Sequence, residues 1–260
     1  MPNPATGSSR IFDVFLECVD AITSGTLVRR ESRRDKEFHF QDWFAARLRA
    51  AKVSFDQNGR NAYPDFVLTQ FAEGYEVKGL AWPGREANFD SNSQVPAGHH
   101  NGRDIYYVFG RYPAEEEGDE YPVVDLVLCH GNFLNADREY IHENKNVKGF
   151  GTYGDIMIRD RKMYVVPTPF ALTDGTTGQQ TLILPAETVP GSKFVKVGDL
   201  IRSEADRIVV AYTFDLRTNK LIPQDIPNPN AGKKHPFSAY RPEGRAGKSV
   251  SLKTAKPVES

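Results

Sequence analysis

Tyr63-Pro64-Asp65-Phe66-Val67-Leu68 and Tyr75-Glu76-Val77-Lys78-Gly79-Leu80 are the two stretches that decide the reading of this chain. Ten residues separate Asp65 from Glu76. Both stretches are short and apolar, and Gln70 to Gly74 between them suits a hairpin connection. Along a strand, residues i and i+2 share a face. Glu76 and Lys78 therefore point the same way, with Tyr75, Val77 and Leu80 available for burial. If the two strands lie side by side, Asp65 and Glu76 converge. Two hard oxygen donors then face one divalent cation, with an ammonium group beside it.

Outward from this pair the pattern changes. Towards the N-terminus, Ile11, Phe12, Val14, Phe15, Cys18, Val19 and Ile22 recur at helical spacing. Ser9 is placed to cap that helix and Gly25 to end it. A second helix fits residues 36–51, with Phe38, Phe40, Trp43, Phe44 and Leu48 as its apolar set. Towards the C-terminus, strands are expected over Ile105 to Tyr112 and Val123 to Cys129. A hairpin fits Ile156 to Ile158 with Met163 to Val166. Shorter strands fit 181–184, 194–197 and 208–214, and a helix fits 198–206. Residues 233–260 hold seven Lys or Arg against two Glu and offer little to bury. They read as a mobile basic tail whose removal leaves the core intact. The expected class is α+β: one domain over 1–232, a central mixed sheet flanked by helices, and a tail over 233–260.

Composition narrows the function classes. The chain has 260 residues, with 33 basic and 34 acidic side chains and a formal net charge of -1. This balance argues against a broadly polybasic protein but leaves room for a local basic face. The two cysteines, Cys18 and Cys129, cannot build a disulfide framework or a Cys-rich zinc site, and they suit a reducing cytosol. The longest apolar runs, such as Val123 to Cys129 with Asp125 inside, are far below membrane-spanning length. Met1-Pro2-Asn3-Pro4 lacks a charged-then-apolar signal pattern, so neither export nor membrane insertion is expected.

The chemistry suggested by Asp65, Glu76 and Lys78 is metal-assisted phosphodiester hydrolysis. Mg²⁺ binds through one or two carboxylates together with phosphate oxygens and water. It polarises the phosphoryl oxygen and lowers the pKa of its water, which Lys78 is placed to orient. The Pro-Asp on one strand and Glu-x-Lys on the next resemble the signature of the PD-(D/E)XK nuclease superfamily. The resemblance covers about residues 35–112 and matches the family order of helix, Asp strand, Glu-x-Lys strand and further strands. It implies a restriction-endonuclease-like core, catalysis by Asp65, Glu76 and Lys78, and Mg²⁺ held by Asp65 and Glu76. It also makes Glu37 a candidate auxiliary carboxylate, with Glu31, Asp35 and Asp42 competing for that role. The competing reading of the residues is an exposed hairpin with a cross-strand charge pair.

The compact chain without a helicase or ATPase motif, together with its long polar insertions, favours a type II restriction endonuclease. That resemblance implies double-stranded DNA as substrate, a homodimer on a near-symmetric site and a separately encoded DNA methyltransferase. It also implies a bacterial or archaeal cytoplasm. The rivals are a structure-selective repair or recombination nuclease with the same core, and a catalytically silent DNA-binding protein. Candidate base readers are Arg85, Asn92, Gln94, His99, His100 and Arg103, because Arg pairs with guanine and Asn or Gln with adenine. An ordinary polar loop explains that segment equally well. Lys145 and Lys148 lie in a second basic and aromatic stretch, NKNVKGFGTY. Four decoys are set aside. His99 and His100 followed by Asn101 only faintly suggest a His-Asn-His nuclease, because the spacing and strand context are missing. Gly244 to Ser249 lacks the first glycine of a phosphate-binding loop. Asp155 with Asp160-Arg161-Lys162 falls on an expected hairpin tip. Cys129-His130 reads as the end of a buried strand.

Overall fold

The computed structural model describes residues 9–29, 36–59, 62–91, 95–114, 118–136, 164–215, 217–218 and 220–254. The N-terminal half runs α1 (Ile11–Thr23), β1 (Val28–Arg29), α2 (Lys36–Ala50), β2 (Phe55–Gln57), β3 (Phe66–Leu68), β4 (Glu73–Trp82), β5 (Asn88–Ser91), β6 (His99–His100) and β7 (Arg103–Pro113). It continues with β8 (Glu120–Tyr121), β9 (Asp125–His130), a single turn of three-ten helix (Gly131–Phe133), β10 (Tyr164–Pro167) and α3 (Pro169–Leu172). The last part is β11 (Thr173–Asp174), β12 (Gln180–Pro185), β13 (Phe194–Ser203), β14 (Arg207–Asp215), β15 (Lys220–Pro227), β16 (Lys234–Pro242) and β17 (Ser251–Leu252).

A nine-stranded mixed sheet organises these elements in the order β13-β16-β12-β9-β7-β4-β3-β2, with β6 paired to β7. β3 and β4 are antiparallel neighbours, with Phe66 opposite Tyr75. β4 and β7 run parallel, with Tyr75 beside Tyr106 and Glu76 beside Tyr107. Alternation along these strands divides the side chains between two cores. Tyr75, Val77, Tyr106, Val108, Leu126 and Leu128 face α1 and α2, where Val14, Phe15, Phe40, Phe44 and Leu48 cover them. Tyr107, Phe109, Val127, Cys129 and Ile183 face the other way, under Phe89, Phe133, Val166 and Phe170. The long helices thus cover one face, and the β5–β10 ribbon, the three-ten turn and the short α3 cover the other. The protein is an α+β molecule built on a central mixed sheet with few helices.

Local chemistry accounts for the close fit. α1 ends where Gly25 takes φ 74°, a left-handed conformation that costs glycine little. Ser9 Oγ accepts a bond from the Ile11 amide at 3.3 Å, one residue before the N-cap position at Arg10. Gly110 on β7 lies directly beneath the Phe40 ring, and a Cβ there would run into it. The polar interruption inside β9 has a partner: Asp125 is fully buried and accepts from Arg111 Nε at 2.7 Å and from the Gly178 amide at 2.7 Å. Such a buried carboxylate is tolerated because it is paired and hydrogen-bonded.

Two expectations are corrected. Residues 198–206 do not form a helix. β13 spans Phe194–Ser203 and pairs with β16 along its length, with a register shift between Lys196 and Gly198. Gly198 weakens a helix interior, and its missing side chain lets the Val250 backbone approach closely. Nor is 233–260 a mobile tail throughout. β16 lies between β12 and β13, and Phe237, Ser238, Ala239, Tyr240 and Arg241 are buried. Arg241 donates from Nη2 to Gly175 O at 2.6 Å and from Nη1 to Lys248 O at 2.7 Å, with a further bond to Ala246 O. The rejected phosphate-loop segment is therefore tied down by an arginine that satisfies its carbonyls. Residues 156–163 of the expected hairpin lie outside the described residues. Its following segment, β10, pairs with β5 instead.

Candidate active site

The site is built from β2, β3 and β4 at one end of the sheet. Asn58, just after β2, donates from Nδ2 to Pro64 O at 2.6 Å, and its amide donates to Asp65 O at 2.8 Å. These bonds fix the residues that carry the Asp65 side chain. Continuing the β3–β4 register by one residue puts Asp65 opposite Glu76, on the face away from α1 and α2. Each carboxylate then bonds to the other strand. The Val77 amide donates to Asp65 Oδ2 at 2.8 Å, and the Asp65 amide donates to Glu76 Oε2 at 3.2 Å. Lys78 Nζ lies 2.9 Å from Glu76 Oε1, with the two side chains 16% and 13% exposed. Both are thus sheltered but open to solvent.

Two tyrosines stand beside this group. The Tyr63 and Tyr107 hydroxyls are hydrogen-bonded at 2.9 Å. Burial pushes both phenols up from their ordinary range, and the nearby Glu76 carboxylate adds to the effect. They stay neutral across physiological pH and serve as hydrogen-bonding groups without adding charge. His100 packs edge-on against Tyr63, with ring centres 5.0 Å apart. These tyrosines were not among the sequence candidates. Tyr63 immediately precedes the Pro-Asp pair, and Tyr107 follows from strand register, which is visible only once β7 is aligned with β4.

Asp65, Glu76 and Lys78 are brought together, whereas the proposed base readers have varied fates. Arg85 is exposed in the turn after β4. His100 is half-buried and bonds to Asn101 Nδ2 at 2.9 Å. Arg103 is committed to the fold, donating from Nη1 to Leu68 O at 2.8 Å and Phe71 O at 2.7 Å. Through Nη1 it clamps the β3–β4 connection. His99 is drawn to Asp104 at 2.8 Å, on the opposite side of the sheet from Glu76. Asn92, Gln94, Lys145 and Lys148 lie outside the described residues, as does the Glu37 side chain. Glu31 and Asp35, competitors of Glu37, also lie outside them, and Asp42 is exposed on α2.

No protein-family model, curated protein or solved structure matches the chain. No helix among the described residues is long and apolar enough to cross a membrane.

Proposed function

We propose that this protein is a Mg²⁺-dependent, sequence-specific double-stranded DNA endonuclease of the PD-(D/E)XK type, acting as a type II restriction enzyme. The observation that carries the reading is the cross-strand pairing of Asp65 with Glu76 and Lys78. Two carboxylates on adjacent antiparallel strands, each held by the other strand's amide, are a preorganised set of hard oxygen donors. That donor set fits Mg²⁺, with Asp65 and Glu76 as its protein ligands. Bound there, Mg²⁺ supplies Lewis acidity to the scissile phosphate and a more acidic water.

The chain's own residues do the rest. The Val77 and Asp65 amides keep the carboxylates oriented, so little reorganisation is needed during reaction. Lys78 orients the attacking water and offsets negative charge developing at phosphorus. Tyr63 and Tyr107, kept neutral, flank the site without competing for the cation. The chain acts as a homodimer, because one site cuts one strand and a two-fold dimer matches a palindromic sequence. A cytoplasmic setting and a separate DNA methyltransferase belong to the same proposal. Incubating the chain with several unrelated plasmids and Mg²⁺ tests it. Discrete, reproducible fragments support sequence-specific cutting. Cutting confined to flaps or junctions would replace it with a repair nuclease, and binding without cutting would leave a DNA-binding protein.

A further inference from the structure

A second group of metal-ligating side chains sits away from the Asp65 site. His99 lies at the start of the short β6, Asp104 near the start of β7, and His130 at the end of β9. Register brings them together: His99 is opposite Asp104, and His130 is opposite Tyr106. Asp104, Tyr106 and His130 share the face that carries Tyr75 and Val77, whereas Glu76 and Lys78 use the other. One ligand atom from each of the three residues lies within 4.8 Å of the others. We propose that His99, Asp104 and His130 form a binding site for a zinc-class transition-metal ion, separate from the carboxylate pair of the proposed nuclease site.

The three donors lie near enough to converge on one ion. His99 Nδ1 is 2.8 Å from Asp104 Oδ1, and His130 Nε2 is 3.9 Å from the same oxygen. Zn–N bonds of about 2.0–2.1 Å in a tetrahedron put two imidazole centres roughly 5 Å apart. The His99 and His130 rings are 5.3 Å apart and inclined by 65°. Small side-chain rotations bring all three donors onto one ion. His130 is held for this, 5% exposed in its side chain with its ring against the Tyr106 ring at 5.5 Å. Its Nδ1 accepts a long bond from the Asn132 amide at 3.3 Å. Ligation through Nε2 moves the ring proton to Nδ1 and gives up that one bond.

Donor chemistry selects the class of ion. Two imidazoles and one carboxylate suit zinc and neighbouring first-row ions, whereas Mg²⁺ prefers oxygen donors in an octahedron. His99 is 59% and Asp104 46% exposed in their side chains, so an ion has an entry path and an outward coordination position for water. Three protein ligands with a fourth, open position are the arrangement of a reactive zinc centre more than of a closed structural one.

The test is calorimetric titration of the metal-stripped, full-length chain with Zn²⁺, repeated with Co²⁺ and visible absorption. One Zn²⁺ per chain that depends on His99 and Asp104 is expected, distinct from any ion at Asp65 and Glu76, with Co²⁺ there giving the d–d bands of a low-coordinate N/O site. His99→Ala and Asp104→Asn, both at exposed side chains, should each weaken binding at least tenfold. Glu76→Gln should leave it unchanged. Because His130 is buried, its own variant is not needed. Absence of Zn²⁺ binding at micromolar concentrations, or binding undiminished by His99→Ala and Asp104→Asn, would overturn the proposal. Loss in Glu76→Gln alone would also overturn it, by moving the ion to the other site. DNA cleavage plays no part in this readout, so it stands or fails apart from the nuclease reading.

Discussion

Lys78→Ala removes an ammonium group 2.9 Å from Glu76 and leaves both carboxylates on their amide donors. Cleavage should fall roughly 10²–10³-fold, the usual effect of removing one preorganised charge-stabilising group. Thermal stability should stay within about 1 kcal/mol, as for other substitutions at solvent-reaching sites. A large drop in melting temperature together with lost cleavage would make this cluster structural. Glu73, two residues before Tyr75, illustrates the opposite case. It is 3% exposed and accepts from the Arg10 amide at 2.7 Å and the Tyr75 hydroxyl at 2.8 Å. Burial raises its pKa above the ordinary carboxylate range, and Asp104 nearby adds to the rise. A raised acid binds more protons folded than unfolded, so stability falls as pH rises from the ordinary carboxylate pKa through the raised one. Glu73→Gln should flatten that fall in urea denaturation series at stepped pH, and an unchanged slope would contradict the assignment.

At the scale of elements, β16 is the part of the fold that composition conceals. Phe237 is 3% exposed and meets Phe133 edge-on at 5.4 Å. Phe237→Ala should therefore cost about 3–5 kcal/mol in denaturant unfolding, and truncation at residue 232 should abolish cooperative unfolding. A truncated chain that unfolds cooperatively would restore the mobile-tail reading. The α1 and α2 helices and strands β3, β4, β7 and β9 were legible because each has a period or a continuous apolar run of its own. β16 was not, because Phe237, Ala239 and Tyr240 are a few apolar residues in a segment rich in Lys and Arg, and they are buried only by strands β12 and β13 on either side. β13 was not, because its strand state comes from pairing with β16 over a long register, and propensity yields to such tertiary context. At the site, Asp65, Glu76 and Lys78 were legible from i, i+2 spacing and one hairpin. The commitment of Arg103 to two carbonyls, and the meeting of His99 with His130, depend on strands distant in sequence.

The whole molecule is a mixed sheet carrying α1 and α2 on one face and the carboxylate–lysine group on the other. β14 and β15 form a separate two-stranded ribbon, on which Val209, Val210, Ile222 and Ile226 are about half exposed. A homodimer acting on a symmetric DNA site should sediment at twice the 29.2 kDa chain mass, and a monomer at working concentration that still cuts both strands together would contradict it. The central claim is that Asp65, Glu76 and Lys78 hydrolyse DNA with Mg²⁺, and it is tested most directly by plasmid cleavage with wild-type and Asp65→Asn proteins purified side by side. Asparagine keeps an acceptor oxygen for the Val77 amide but removes the charge the cation needs. The account predicts discrete fragments from the wild-type chain with Mg²⁺, none with chelator, and none from Asp65→Asn at an unchanged melting temperature. Equal cleavage by the two proteins, or no cleavage of any DNA by the folded wild-type chain, would contradict it.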